Sequence, residues 1–343
     1  MELTNDQIRE VILAEQKAKQ ANEKGSFAEK KYKLLLAEHE RIVAENEALM
    51  GVANAPKKPF VIKPRLSKKE NEAVPCLVWS DWHVEERVDP RTISGKNKYT
   101  LDIAKDRVTR VAQSSLKLMQ EVAARATVNE VAVFLIGDFI TGNIHEENVE
   151  NAQLEPAYAA VYAQELIESA LDFLLTETPY TYTLYCKAGN HSRITRKVHS
   201  STELGNSLEY ALFTGLLKKY MAGGRVKVFM EPSYYSIATI YGKRIRYHHG
   251  HAVSYGGGVG GLHIPLRKAI KSWNETERAD FDVMGHYHSF LEHTTHRYMV
   301  NGSLIGYNAY AERIKAVLEA PMQGFFTVNK KYGITNIIPV FAE

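Results

Sequence analysis

Two cysteines in 343 residues leave no disulfide framework and no thiolate metal site. Cys76 and Cys186 each sit in an apolar, strand-like run, where a buried reduced thiol is expected. Nowhere do the roughly 20 consecutive apolar residues of a membrane-spanning helix occur. The opening residues Met1 to Asp6 lack the basic-then-apolar order of a secretory leader, so a cytoplasmic protein with no membrane partner is expected. Net charge is also small, at +3. The chain as a whole is therefore not marked as a nucleic-acid binder, and any basic surface has to be local. What is present is an ordinary globular composition, 45% apolar and 24% charged, sufficient for a large core.

Proline is absent from residues 1 to 50, which are rich in Ala, Glu, Lys and Leu and hold one glycine. They read as two helices broken at Gly25, with Thr4 and Gln7 capping the first and Ser26 and Glu29 the second. In the second, Ala28, Tyr32, Leu35, His39, Ile42, Asn46 and Leu49 recur at alternating spacings of four and three, the seam of a coiled coil. Homo-oligomerisation through this segment is one reading; packing on the rest of the chain is the other. Residues 51 to 74, with Pro56, Pro59 and Pro64 among six lysines and arginines, read as a basic extended linker.

From residue 75 to 343, short β-rich runs alternate with longer amphipathic ones. Runs at 76–80, 131–136 and 181–187 precede helices near 101–126, 152–175 and 202–222. More strands follow near 226–230, 234–241, 244–249, 281–285, 291–300, 324–329 and 334–340, which predicts an α/β layered domain with a second sheet.

Five clusters of metal-ligating types fall at the ends of these runs: Asp81-Trp82-His83, Gly137-Asp138, Gly189-Asn190-His191, His249-Gly250-His251 and Gly285-His286-Tyr287-His288. Loops beyond the carboxyl ends of strands converge in α/β domains, so remote positions become neighbours. Two carboxylates, one amide oxygen and four imidazoles form a mixed oxygen and nitrogen set suited to Mn, Fe, Zn or Ni. Seven donors exceed one tetrahedral ion and suit two ions sharing a carboxylate. Each cluster alone would more often be a turn; their ordered combination is the signal.

In order and content, these clusters resemble the calcineurin-like metallophosphoesterases across about residues 75 to 305. The resemblance implies a four-layer α/β/β/α sandwich, here with a helical, coiled-coil-like N-terminal extension, and two divalent metals, Mn foremost, with Fe, Zn, Ni or Mg as alternatives. It assigns Asp81, His83, Asp138 and His288 to one metal, with Asp138 bridging, and Asn190, His249 and His286 to the other. His191 would contact the phosphate and protonate the leaving oxygen, which makes His191, Asp138 and Asn190 the catalytic set. The chain departs from the family pattern twice: Phe139-Ile140-Thr141 lacks the second acid usual after Asp138, and Ser192 stands where Asp or Glu usually follows the histidine.

Arg193 and Arg196, with Lys197, could line the entrance for a polyanion beside His251, and Trp82, Tyr255 and Tyr287 could stack on bases. A phosphodiesterase acting on DNA through a two-metal-activated hydroxide is thus the expected function. The alternatives are an enzyme for nucleotides or other small phosphoesters, and a silent scaffold of the same fold. Gly256 to Gly261 reads as a loop over the site. It lacks the Gly-Lys-Ser/Thr ending of a phosphate-cradling loop. Asn301-Gly302-Ser303 reads as a turn without a catalytic role.

Overall fold

The computed structural model describes residues 5–54, 71–255, 261–293, 295 and 297–343. The chain divides into two units, Met1–Leu66 and Ser67–Glu343. Most of the expected linker and of the Gly256 to Gly261 loop lies outside the described residues.

In the first unit one helix, α1 (Asn5–Asn54), replaces the two expected. It runs through Gly25 without a break. A single interior glycine costs about 1 kcal/mol, too little to interrupt long flanking runs of Ala, Glu, Lys and Leu. The side chains described along it are exposed, with Tyr32 65% and Leu35 60% accessible.

The second unit opens with four strands, β1 (Ala73–Trp79), β2 (Glu130–Leu135), β3 (Thr181–Cys186) and β4 (Val226–Met230), each parallel to the next. Between them run α2 (Leu101–Arg125), the short α3 (Glu146–Asn151), α4 (Pro156–Glu177) and α5 (Leu208–Tyr220). A second sheet follows: β5 (Ser236–Ile240), β6 (Lys243–Tyr247), β7 (Phe281–Met284), β8 (Leu291–His293) and β9 (Tyr298–Val300). The last two form a hairpin where a single strand was expected, and α6 (His263–Thr276), which the sequence reading did not anticipate, links β6 to β7. After the short α7 (Ala309–Arg313), β10 (Met322–Asn329) and β11 (Gly333–Phe341) return antiparallel to the edge of the first sheet. The orders are β11-β10-β1-β2-β3-β4 and β5-β6-β7-β9-β8.

Alternate residues of the central strands explain the layering. Leu77, Trp79, Val131, Val133 and Leu184 pack beneath α2, α4 and α5, whereas Cys76, Val78, Ala132 and Phe134 face the second sheet through Ile245, Phe281, Val283 and Met299. Leu266 and Ile270 of α6 cover the outer face of that second sheet. The result is the expected α/β/β/α sandwich. Cys76 and Cys186 are both buried and free, and no helix among the described residues is long and apolar enough to cross a membrane.

Candidate metal centre

Strand ends from both sheets meet at one place. Asp81 and His83 follow β1, Asp138 follows β2, Asn190 and His191 follow β3, His249 follows β6, and His286 and His288 follow β7. Five of these residues hold left-handed backbone angles: Asp81 (φ 55), His83 (φ 47), Asp138 (φ 54), His286 (φ 76) and His288 (φ 53). Such angles are strained for residues with a Cβ, and they persist where the surroundings over-determine them. Here a ladder does so. Asp81 and Trp82 donate their amides to the Gly137 and Asp138 carbonyls at 3.0 and 2.9 Å, while Gly285 donates to His249 at 2.8 Å. Glycine is needed at 189, because a Cβ there would lie 2.0 Å from an Asp138 carboxylate oxygen.

Two groups of donors result, Asp81 with His83 and His288, and Asp138 with His249 and His286, the donor atoms within each group lying inside 4.8 Å of one another. Asp81 and Asp138 are essentially buried, yet among the described residues neither forms an ion pair with lysine or arginine. Buried carboxylates in that position call for a cation. His83 Nε2 and His288 Nε2 face each other at 3.2 Å, and His249 Nε2 lies 2.8 Å from Asp138 Oδ2 without hydrogen-bond geometry. Asn190 Oδ1 is likewise buried and unpartnered. These orphaned donors fit two divalent metals.

Protonation supports the same fit. Burial alone would lower His249, but the Asp138 carboxylate beside it raises it to about 10. Burial, then charge on neighbouring histidines, holds His83 well below its ordinary value and His286 down at about 2, so both offer neutral lone pairs. The outer nitrogens are anchored as ligand histidines require: His249 Nδ1–H donates to the Ile136 carbonyl at 2.8 Å, and His83 Nδ1 is 3.1 Å from Thr141 Oγ1.

His191 stands beside the ligands. Its amide donates to Asp138 Oδ1 at 2.8 Å and its Nδ1–H to the Thr141 carbonyl at 3.0 Å. Of the expected substrate contacts, Arg193 is half-buried, and its Nη1 donates to the Asn190 carbonyl at 2.5 Å, so it braces a ligand loop. Arg196 is exposed. His251 Nε2 lies 2.8 Å from Glu203 Oε1, next to the centre. Trp82 is fully buried with Nε1 donating to Gln323, which corrects its expected stacking role; it is a core residue. The Tyr287 hydroxyl donates to the Val253 carbonyl, and Tyr255 is 44% exposed.

Several supporting residues are not evident from the sequence. Glu209, in the first turn of α5, is fully buried and accepts the Phe139 and Gly189 amides at 2.7 Å each, tying the Asp138 loop to the Asn190 loop. Ser192 Oγ reaches it at 3.1 Å. A carboxylate thus arrives from the helix at the place where the resemblance puts one in the loop. Burial and the nearby Asp138 charge push Glu209 up to about 7. Glu85 accepts the Thr141 and Gly142 amides at 2.8 and 2.7 Å. Asn301, read only as a turn, donates to Ser80 Oγ at 2.8 Å, and Ser80 donates to Asp81 Oδ2 at 2.5 Å. Only a hydrophilic residue in an unexpected place would have signalled these roles, and each depends on a long-range approach.

No protein-family model matches the chain and no curated protein does. Solved structures similar to it include an archaeal phosphodiesterase (12% identity, TM-score 0.36, covering 78% of this chain and 99% of that one). A predicted phosphoesterase from Streptococcus pneumoniae (11%, 0.32, 79% and 90%) and the calcineurin-like phosphoesterase YfkN from Bacillus subtilis (12%, 0.30, 79% and 91%) are also similar. At such scores the superpositions decide nothing about chemistry, which rests on the donors of this chain.

Proposed function

We propose that this chain is a metal-dependent phosphoester hydrolase of the calcineurin-like class, acting on phosphodiesters of DNA. The observation that carries the reading is the pair of three-donor groups, Asp81-His83-His288 and Asp138-His249-His286, side by side at the ends of strands from both sheets. Asp138 would be shared, and the buried Asn190 Oδ1 would complete the second position. Two divalent cations, Mn foremost, would supply an acidified water and neutralise charge building on the phosphoryl oxygens.

The chain's own part is positioning and proton handling. The Thr141 carbonyl holds the His191 ring through Nδ1, an anchoring that supports a role for Nε2 in passing a proton to the leaving oxygen. Glu209 keeps the two ligand loops in register from beneath. Exposed Arg196 and Lys197 offer cationic contacts for a phosphate backbone.

A nucleotide or another small phosphoester is the second reading. It is favoured by the inward turn of Arg193 and the burial of Trp82, which remove two groups a long polyanion would use.

Hydrolysis of bis-p-nitrophenyl phosphate, p-nitrophenyl phosphate, single-stranded and double-stranded DNA, with added Mn and with chelator, tests both. Chelator-sensitive cleavage of diester and DNA is expected. Turnover of small esters alone would remove DNA and keep the centre, and no turnover with any divalent metal would leave a scaffold.

A further inference from the structure

Because α1 is continuous, its seam does not stop at Gly25. Carrying the spacing of Ala28, Tyr32, Leu35, His39, Ile42 and Asn46 backwards lands on Gly25, Ala21, Ala18 and Ala14. The seam is therefore polarised, small in its first half and large in its second. Tyr32, Leu35 and Ile42 are 65%, 60% and 45% exposed, an unpartnered apolar row on a helix of 50 residues. Gly25 has no atom within 4 Å of the place a Cβ would take, so nothing described in its own chain demands a glycine there. A mid-helix glycine nonetheless costs about 0.5–1 kcal/mol.

We infer that α1 binds α1 of a second copy of this chain, antiparallel, in a register centred near residue 30. That register sets Ala14 against Asn46, Ala18 against Ile42, Ala21 against His39, Gly25 against Leu35 and Ala28 against Tyr32, each layer occurring twice by the two-fold symmetry. Every layer then joins one small residue to one large one, which fills the seam at close approach of the helix axes. A parallel pair would stack alanine on alanine through the first half and bury little there.

Charge along one flank selects the same arrangement. Lys17, Lys24, Lys31, Glu38 and Glu45 recur every seventh residue beside the seam, basic first and acidic last. Antiparallel pairing brings Lys17 to Glu45 and Lys24 to Glu38 of the second copy; Lys31 meets its own counterpart at the axis on this flank, and Glu29 meets its own on the other, the two unfavourable pairs. Within its own helix Arg41 is shared between Glu38 and Glu45, at 2.7 and 2.8 Å, so that stretch keeps net negative charge for a partner.

The test uses the full chain, whose two native cysteines are buried. Differently tagged Ala18→Cys and Ile42→Cys variants are mixed and mildly oxidised. Cross-links between the two variants, with neither linking to itself, are expected, together with a dimeric mass for the unmodified chain in light scattering. Self-linked variants, or a monomeric mass, would overturn the pairing. As a second arm, Lys17→Glu with Lys24→Glu should raise the dissociation constant tenfold or more, and adding Glu38→Lys with Glu45→Lys in the same chain should restore it. Circular dichroism separates lost pairing from lost helix, and absence of restoration in a helical variant would contradict the register.

Discussion

The metal centre and α1 make opposite uses of the same chain. At the centre, strained backbone, buried carboxylates and orphaned imidazole nitrogens are held by ladders from two sheets, so the geometry of the donor groups is determined within one chain. Along α1 the backbone is regular and the described side chains are solvent-exposed; its apolar seam has no counterpart among the described residues of its own unit. One region stores strain to prepare chemistry. The other, in the pairing inferred above, would offer its surface to a second copy.

The contrast breaks most sharply at Asp138. Asp138→Ala should lower diester turnover roughly a thousandfold or more and release metal, because in the proposed centre one carboxylate would serve both positions. The same variant should leave the light-scattering mass unchanged. Full activity would sink the two-metal reading.

Glu209→Ala comes next. It strands the Phe139 and Gly189 amides, each worth about 1–3 kcal/mol when buried and unpaired, so a loss of about 3 kcal/mol in urea unfolding is expected, with weaker metal retention. Glu209→Gln should recover part of it. An unchanged midpoint would remove Glu209 as the tie between loops.

Lys187 sharpens the comparison through pH. It is buried at the end of β3 with Nζ donating to the Glu231 and Ser233 carbonyls, and burial pulls it down to about 8 from 10.5. The folded state then binds fewer protons than the unfolded one between those values, so stability rises with pH across that window. Relative to Lys187→Met, the unmodified chain should gain about 2 kcal/mol between pH 8 and pH 10. A pH-independent difference would contradict the depressed value.

The smallest effect belongs to Arg196→Ala. DNA affinity should fall a few-fold and the slope of its salt dependence by about one, while hydrolysis of a small chromogenic ester stays constant. Equal loss on both substrates would place Arg196 in the centre itself.

What the sequence made legible follows the same division. The donor residues could be read because aspartate, asparagine and histidine beside glycine at the ends of apolar runs are unusual for plain turns, and alternation in strands such as Val131 to Leu135 carried the layered fold. Glu209 could not be read, since an acid in the first turn of a helix is ordinary until α5 packs it under two loops. Thr141 looked like a lost acid, yet its carbonyl and hydroxyl hold His191 and His83. Gly25 looked like a helix end because Ser26 and Glu29 imitate a capping box; continuity of the helix overrode that local signal and revealed the longer seam. Trp82 followed a ligand in sequence and was buried by it, because its backbone donates to the Asp138 carbonyl and its indole turns to Gln323.

Metal content per chain is the most direct measurement of the central claim. Equilibrium dialysis of the full chain against Mn, read by elemental analysis, should give two ions per chain, and Asp138→Ala should retain neither tightly. One ion or none in the unmodified chain would contradict a centre built from two donor groups.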